Sequence, residues 1–158
     1  TLEYAIQPTA EDDFGPTLTH VSTVGENGTT LIDLDPQEGV PIGTGWDFEL
    51  EGWNVSLNGG PSGAGDVGVI TTSEPFDEIT TAFVDGVAYR TDSYTGVFGA
   101  SRWYRYHIDA GTPNRISPTF EVYLLKRGET VYKIQLLDYY GATGAPRQIT
   151  FRYERIAP

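Results

Sequence analysis

The side chains able to hold a transition-metal ion through nitrogen or sulfur are few in this chain. Its 158 residues include two histidines, His20 and His107, and neither cysteine nor methionine. The lack of cysteine excludes disulfides, cysteine-ligated zinc and nucleophilic thiols. Imidazole is the one good donor that remains, and tyrosine oxygen is a poorer, anionic alternative. The chemistry that these residues permit is coordination by one or two histidines.

Catalytic arrangements find little support in the order of the residues. There is no Gly-x-Ser-x-Gly motif, and two histidines without a cysteine make a nucleophilic triad improbable. The chain has 22 acidic residues, yet no spacing among them argues for a catalytic carboxylate pair. The glycine-rich stretch at residues 58–65 lacks the Lys-Ser/Thr pair and the helix of a phosphate-binding loop. We therefore predict a binding protein and not an enzyme.

The charge is strongly negative and unevenly placed. A net charge of −12 makes nucleic acid an unexpected partner, because phosphate binding needs a basic surface. The residues before Arg90 carry 16 Asp and Glu and no Lys or Arg, whereas all 10 basic residues lie from Arg90 onward. The favoured interpretation is that strands from the two halves interleave and pair opposite charges. A solubilising acidic surface, or two faces of opposite sign for different partners, are alternatives.

The elements that must position these side chains are strands. The chain has 19 Gly and 10 Pro among many Thr, Val and aromatic residues, which is typical of short strands and tight turns. Strands are expected at residues 17–24, 29–34, 46–50, 53–57, 67–72, 87–91, 120–127, 130–140 and 148–154. The turn at Asn27-Gly28 predicts a hairpin between the first two, and Gly128 predicts a long hairpin between the seventh and eighth.

We predict one all-β domain over residues 1–158, with residues 1–16 as an N-terminal arm. The sheets are expected to be antiparallel, as a sandwich or an elongated curved sheet. At most one or two short helical turns are expected, at residues 74–83. No window holds the roughly 18 apolar residues that a membrane helix needs. The start at Thr1 suits a mature form whose leader or lipidated cysteine was removed.

A series of short motifs follows in order from Trp46 to Tyr153. The motifs are Trp46-Asp47-Phe48-Glu49-Leu50, Asn58-Gly59-Gly60, Phe76-Asp77-Glu78-Ile79-Thr80, Trp103-Tyr104-Arg105-Tyr106, Ile116-Ser117-Pro118, Val122-Tyr123-Leu124-Leu125-Lys126, Tyr132-Lys133-Ile134-Gln135-Leu136, Asp138-Tyr139-Tyr140 and Ile149-Thr150-Phe151-Arg152-Tyr153. In this order they resemble the HmuY family of bacterial haem-binding proteins. The resemblance implies a mostly antiparallel β fold, haem capture and an extracytoplasmic location: outer-membrane-anchored as a lipoprotein, secreted or periplasmic.

The resemblance also implies where iron would be held. Its type members use two axial side chains on loops, commonly His and in some relatives Met. His107 directly follows the Trp103–Tyr106 motif, where the family tends to place one ligand, so it is the candidate haem iron ligand. The second ligand should lie at residues 67–93, where this chain has neither His nor Met. His20, which precedes every motif, is a weaker candidate.

Aromatic and basic residues near His107 complete the expected haem site. The aromatic residues that could sandwich a porphyrin are Tyr94, Phe98, Trp103, Tyr104 and Tyr106. Arg102 and Arg105 could pair with the haem propionates. Structural roles compete with both: aromatic residues commonly form the core, and the arginines could pair with the acidic first half of the chain.

Three functions are therefore weighed. The first is capture of haem or another small porphyrin-like ligand. The second is a non-catalytic extracellular or periplasmic accessory subunit of a larger membrane or envelope assembly, which kept the fold and lost haem binding. The missing upstream ligand favours this second function. The third is a module that binds carbohydrate or peptide through exposed aromatic residues such as Trp53 or Tyr94.

Overall fold

A computed structural model describes residues 15–24, 28–35, 45–80, 88–91, 98, 102–106 and 115–158. The strands within them are β1 (Leu18–Thr23), β2 (Thr29–Ile32), β3 (Phe48–Glu51), β4 (Asn54–Leu57), β5 (Gly68–Thr72), β6 (Tyr104–Tyr106), β7 (Ile116–Pro118), β8 (Val122–Arg127), β9 (Thr130–Tyr140) and β10 (Pro146–Ala157). Short 3-10 turns cover Gly60–Ser62 and Phe76–Glu78. The predicted all-β class is confirmed. In the described ranges, no helix has the length and apolar character needed to cross a bilayer.

The strands form three antiparallel sheets. The largest has the order β1-β10-β9-β8-β5, the second is β2-β3-β4, and the third is the pair β6-β7. The β3–β4 and β8–β9 hairpins match the prediction, and each turn contains a glycine with positive φ: +58° at Gly52 and +61° at Gly128. Such φ values strain residues with a Cβ, so glycine is what allows the tight return of the chain.

The predicted hairpin around Asn27-Gly28 is wrong. β1 pairs with β10, so that Leu18 lies opposite Tyr153, whereas β2 pairs with β3. The chain therefore passes from one sheet to another between β1 and β2, through residues 25–27, which lie outside the described ranges. An isolated two-stranded hairpin buries little apolar surface, and β10 offers β1 a longer partner inside a five-stranded sheet. A strand is predicted at residues 87–91. Among the described residues of this range, 88–91, the structure has only an isolated β-bridge between Arg90 and Val69.

The five-stranded sheet is apolar on both faces. Tyr123 and Leu125 of β8 face the three-stranded sheet, and their neighbours Val122 and Leu124 face the opposite way, as period-two alternation requires. The first pair joins the large core between the sheets, which gives the sandwich. The second pair belongs to a smaller cluster beneath the 3-10 turn Phe76–Glu78.

Two of the three ion pairs described in the structure join the acidic first half of the chain to the basic second half. Arg127 lies 3.2 Å from Asp47, and Arg152 lies 3.7 Å from Asp77. The third, Lys133 with Glu154 at 2.8 Å, joins two residues of the second half. Asp47 lies just before β3 and Asp77 lies in a 3-10 turn, so the first two pairs connect loops to the five-stranded sheet and do not cross between paired strands.

Asp47 fastens the three-stranded sheet to the β8–β9 hairpin. Its carboxylate accepts hydrogen bonds from the Leu34 N–H (2.7 Å) and from Arg127 Nη1 (3.2 Å), and it is 1% exposed. The same guanidinium donates to the Gly45 carbonyl. Burial raises the pKa of Asp47, and the bonds from Leu34 and Arg127 oppose that rise. The carboxylate is thus buried but well supplied with donors.

Replacement of Asp47 by alanine is expected to lower the free energy of unfolding by about 2–4 kcal/mol, because a buried N–H and a guanidinium lose their acceptor. Asp47→Asn is the matched control, since the amide oxygen still accepts from Leu34, and its loss should be smaller. Urea denaturation of the three proteins measures both. A loss under about 0.5 kcal/mol in the alanine variant would contradict this role.

Candidate ligand-binding site

Trp53 lies at the centre of a partly exposed aromatic surface. It follows Gly52 in the β3–β4 turn, and 42% of it remains exposed. The centre of its ring is 6.4 Å from the rings of Tyr104 and Tyr106 and 6.3 Å from that of Tyr139. The Tyr106 ring is nearly parallel to it, at 20°, whereas the other two are steeply tilted. We call Trp53, Tyr104, Tyr106 and Tyr139 the aromatic surface.

A buried tryptophan fixes the turn that carries Trp53. Trp103, 1% exposed, donates from Nε1 to the backbone carbonyl of Trp53 at 2.9 Å. Its own carbonyl accepts the Thr119 N–H at 2.7 Å. Because these bonds use backbone groups, they hold the β3–β4 turn against β6 whatever side chain residue 53 carries. The ring of Trp53 is therefore available for a ligand.

The end of β9 supports the other side of the surface. The Tyr140 hydroxyl accepts the Ile116 N–H at 3.0 Å, and the Tyr140 ring packs 5.2 Å from that of Tyr139. The Arg115 guanidinium lies 4.7 Å above the Tyr140 ring, close enough for a cation–π contact. Burial raises the pKa of the Tyr139 hydroxyl. The β6–β7 hairpin is thus bound to the end of β9.

Alternation along β6 separates residues that are adjacent in sequence. Tyr104 and Tyr106 point toward Trp53, as their ring contacts show. Arg105 lies between them, so its side chain leaves the opposite side of the strand, where it lines a separate groove. Tyr104 borders both surfaces. Of the predicted haem-binding residues, the structure therefore brings the two tyrosines together and directs Arg105 elsewhere.

The other predicted aromatic residues divide between core and undescribed segments. Trp103 and Phe98 are buried, and the Phe98 ring lies 4.4 Å from that of Tyr123. His107 and Tyr94 lie outside the described residues, so the iron ligand stays a prediction. His107 nevertheless follows Tyr106 directly in the chain.

His20 is exposed on β1 and does not belong to the aromatic surface. It lies opposite Phe151, with the two ring centres 5.4 Å apart. Phe151 in turn lies opposite Leu136, three residues before Tyr139 on β9. That offset is about 10 Å along the strands, and β1 lies two strands away from β9. In the described ranges, no group of three or more His, Cys, Asp or Glu residues is placed to hold a metal ion.

The centre of the surface is not predicted from the sequence as part of the haem site. The sequence indicates Trp53 only as an exposed aromatic residue, and it does not indicate Tyr139, Tyr140 or Arg115 as site residues. One signal was present in the sequence: Trp53 directly follows the glycine of a short turn. A large ring at the end of a hairpin lies far from the core, so it is expected to be partly exposed. Its contacts with β6 and β9 come from residues far away in sequence, which spacing does not reveal.

The motifs behind the family resemblance make structural bonds. The Asn58 side chain donates to the Trp46 carbonyl at 2.8 Å and accepts the Gly65 N–H at 2.9 Å, which closes the loop after β4. Asp47 and Trp103, described above, each fasten one element to another. These motifs therefore specify the fold, and most of them do not report on a ligand.

Comparison with solved structures identifies proteins of the same architecture. A candidate lipoprotein from Bacteroides fragilis aligns over 93% of this chain and 92% of its own, with a TM-score of 0.60 and 17% sequence identity. A candidate HmuY-like haem-binding protein from Bacteroides vulgatus aligns over 87% and 90%, with a TM-score of 0.58 and 18% identity. The apo HmuY analogue from Tannerella forsythia aligns over 93% and 100%, with a TM-score of 0.58 and 12% identity.

The chain has an HmuY-like fold. The resemblance read from the motifs is confirmed at this level by the aligned structures, whose coverage is high in both chains. No family model matches the sequence, and the search of curated proteins finds no match either. Identities below 20% establish the architecture alone, because one fold hosts many functions.

Proposed function

We propose that the protein is a non-catalytic, extracytoplasmic binding protein that captures haem at the aromatic surface, with His107 as the iron ligand. The position of Tyr106 carries the proposal. Its ring stacks on that of Trp53, it is 46% exposed, and it immediately precedes His107 in the chain. Exposed aromatic rings for the porphyrin face and an imidazole for the iron are groups that a haem site can use.

The residues present fit haem in three respects. Trp53 and Tyr106 offer exposed flat rings against which a porphyrin face can pack. Arg115, beside Tyr140, can pair with a propionate. His107 supplies one nitrogen ligand. Since His20 lies apart, we propose a single protein ligand, with the opposite side of the iron open.

The folds of the aligned proteins support the class and the location. They include a candidate lipoprotein, a candidate HmuY-like haem-binding protein and an HmuY analogue. We therefore place the chain outside the cytoplasm, attached to an outer membrane, secreted or periplasmic. Its acidic composition would keep such a protein soluble and free of nucleic acid.

An accessory subunit without haem is the second candidate. Leu18 and Val21, which are 47% and 55% exposed, lie on β1 at an edge of the five-stranded sheet. Edge strands with exposed apolar side chains offer backbone and side-chain contacts to a partner. Under this alternative the partner is a subunit of a membrane-protein complex. The Soret band of haemin would then be unchanged when the protein is added, and the protein would co-purify with membranes.

Trp53→Ala is expected to weaken haemin binding about tenfold, since the porphyrin loses the largest ring of the surface. The substitution preserves the carbonyl that accepts from Trp103. Phe120→Ala, which removes another exposed aromatic ring outside the aromatic surface, is the matched control and should leave the affinity unchanged. Titration followed at the Soret band measures both. Equal affinities in the two variants would place haem elsewhere on the protein.

A further inference from the structure

A groove of about 1050 Å³ lies on the side of β6 that Arg105 faces. One wall is formed by the end of β5 and the turn after it, from Thr71 to Pro75. The other is formed by β6 and the segment from Thr119 to Val122. Its volume is that of a small-molecule site. Neither the family motifs nor the proposed haem surface gives this groove a role.

Two arginines in the groove have no acidic partner within the described part of the chain. Arg102 and Arg105 are both exposed and line the groove, whereas Arg127 and Arg152 each pair with a carboxylate. What distinguishes these two arginines from the other arginines without a described acidic partner is that both line one groove. A guanidinium binds a carboxylate through two parallel hydrogen bonds, so the groove favours a ligand that carries one.

Phe120, which lines this groove, has a strained backbone conformation. Phe120 has φ of +60°, which is rare for a bulky residue, and 54% of it is exposed. Its carbonyl accepts from Gln135 Nε2 at 2.7 Å, and Gln135 Oε1 accepts from Arg152 Nε at 2.8 Å. Side chains that enforce an unfavourable backbone geometry around an exposed ring indicate a functional role for that ring.

Hydroxyl and carboxylate groups complete the lining. Thr72 and Ser73 contribute hydroxyls beside the Phe120 ring, and Glu121 contributes a carboxylate that is partly buried and contacts Thr71. Hydroxyls both donate and accept, and a carboxylate accepts from ligand hydroxyls. The groove therefore combines an anion-binding pair, a flat apolar ring and acceptors for hydroxyl groups.

We propose that the groove binds an acidic sugar, a uronic acid residue of an oligosaccharide. Its carboxylate binds Arg105 and Arg102, one face of its ring packs on Phe120, and its hydroxyls bond to Thr72 and Glu121. An acidic peptide suits the groove less, because Glu74 and Glu121 would repel its additional carboxylates. This second site does not depend on the proposed haem surface, since Arg105 faces away from Trp53.

Isothermal titration calorimetry of the full chain tests the proposal with two otherwise neutral trisaccharides, one ending in a single galacturonic acid and one ending in a single glucuronic acid. At least one is expected to bind, and its methyl ester, which has the same rings without the charge, about tenfold more weakly. Arg105→Gln and Phe120→Ala should each weaken binding about tenfold. Arg115→Gln and Trp53→Ala, which alter exposed residues outside the groove, should leave it unchanged.

Three outcomes would overturn the proposal. They are an absence of binding by both trisaccharides at about 5 mM, equal affinity for acid and ester, and tighter binding of a tri-aspartate peptide than of either trisaccharide. Haemin titration of the same variants separates this site from the other. Loss of sugar binding in Arg105→Gln with unchanged haemin affinity supports two sites, whereas parallel losses would contradict a separate groove.

Discussion

Lys133→Ala is expected to lower the free energy of unfolding by about 3–5 kcal/mol, the largest effect on stability predicted for this chain. Lys133 is 3% exposed on β9. Its ammonium donates to the carbonyls of Phe76 (2.7 Å) and Ile79 (3.0 Å) and pairs with Glu154 at 2.8 Å. All three of its donors are therefore used, and it lies 4.4 Å from the Phe76 ring centre.

Removal of that ammonium leaves the Ile79 carbonyl without its donor under the 3-10 turn Phe76–Glu78. The Phe76 carbonyl and the Glu154 carboxylate each lose one donor and keep another, the Ile79 N–H at 3.4 Å and the Thr17 hydroxyl at 3.2 Å. Urea denaturation measures the loss, and Lys133→Met, which keeps most of the apolar stem, separates lost bonds from lost packing. Lys126→Ala is the control, since among the described residues its ammonium makes only a cation–π contact, 5.4 Å from the centre of the Tyr89 ring, and should cost about 0.5–1 kcal/mol. Equal losses at both lysines would show that the buried bonds do not hold the turn.

His107→Ala is expected to weaken haemin binding about a hundredfold, the largest effect on ligand affinity predicted here, because it removes the iron ligand that we propose. His20→Ala is the matched control, since it removes the other imidazole of the chain, which contacts Phe151 on β10. It should bind haemin as the unaltered protein does. Soret titration of both variants decides the assignment. A larger loss of haemin affinity in His20→Ala would show that His20, and not His107, holds the iron.

Elements made by local contacts were predictable from the sequence. The β8–β9 hairpin follows from alternating apolar residues around Gly128, and β3–β4 follows from the same pattern around Gly52. The partners of β1 and β2 were not, because Asn27-Gly28 indicates a turn without showing whether its flanking strands pair. β1 instead joins β10, more than 120 residues further along the chain.

The site was predictable only in part, for a similar reason. The Trp103–Tyr106 motif includes the three residues of β6, but the sequence pattern predicts no strand at these positions. Without one, the alternation that separates Arg105 from Tyr104 and Tyr106 could not be applied. Trp53 joins the surface through contacts that span about fifty residues, such as the bond from Trp103, 50 positions away. Local periodicity carries no information on contacts of that range.

The resemblance to the HmuY family predicted the fold well because its motifs are structural. Lys133 holds the Phe76–Glu78 turn, Asp47 joins two sheets, and Asn58 closes a loop. Ligand binding depends on a few additional side chains. The motifs therefore predict the fold, whereas the proposed ligand depends on Trp53, Tyr106 and His107.

Titration of the unaltered protein with haemin tests the central claim most directly. The proposal predicts a saturable shift of the Soret band at micromolar protein, with one haem bound per chain, because the aromatic surface and His107 form one site. An unshifted Soret band at micromolar protein would contradict haem capture, and the accessory-subunit function would then be favoured.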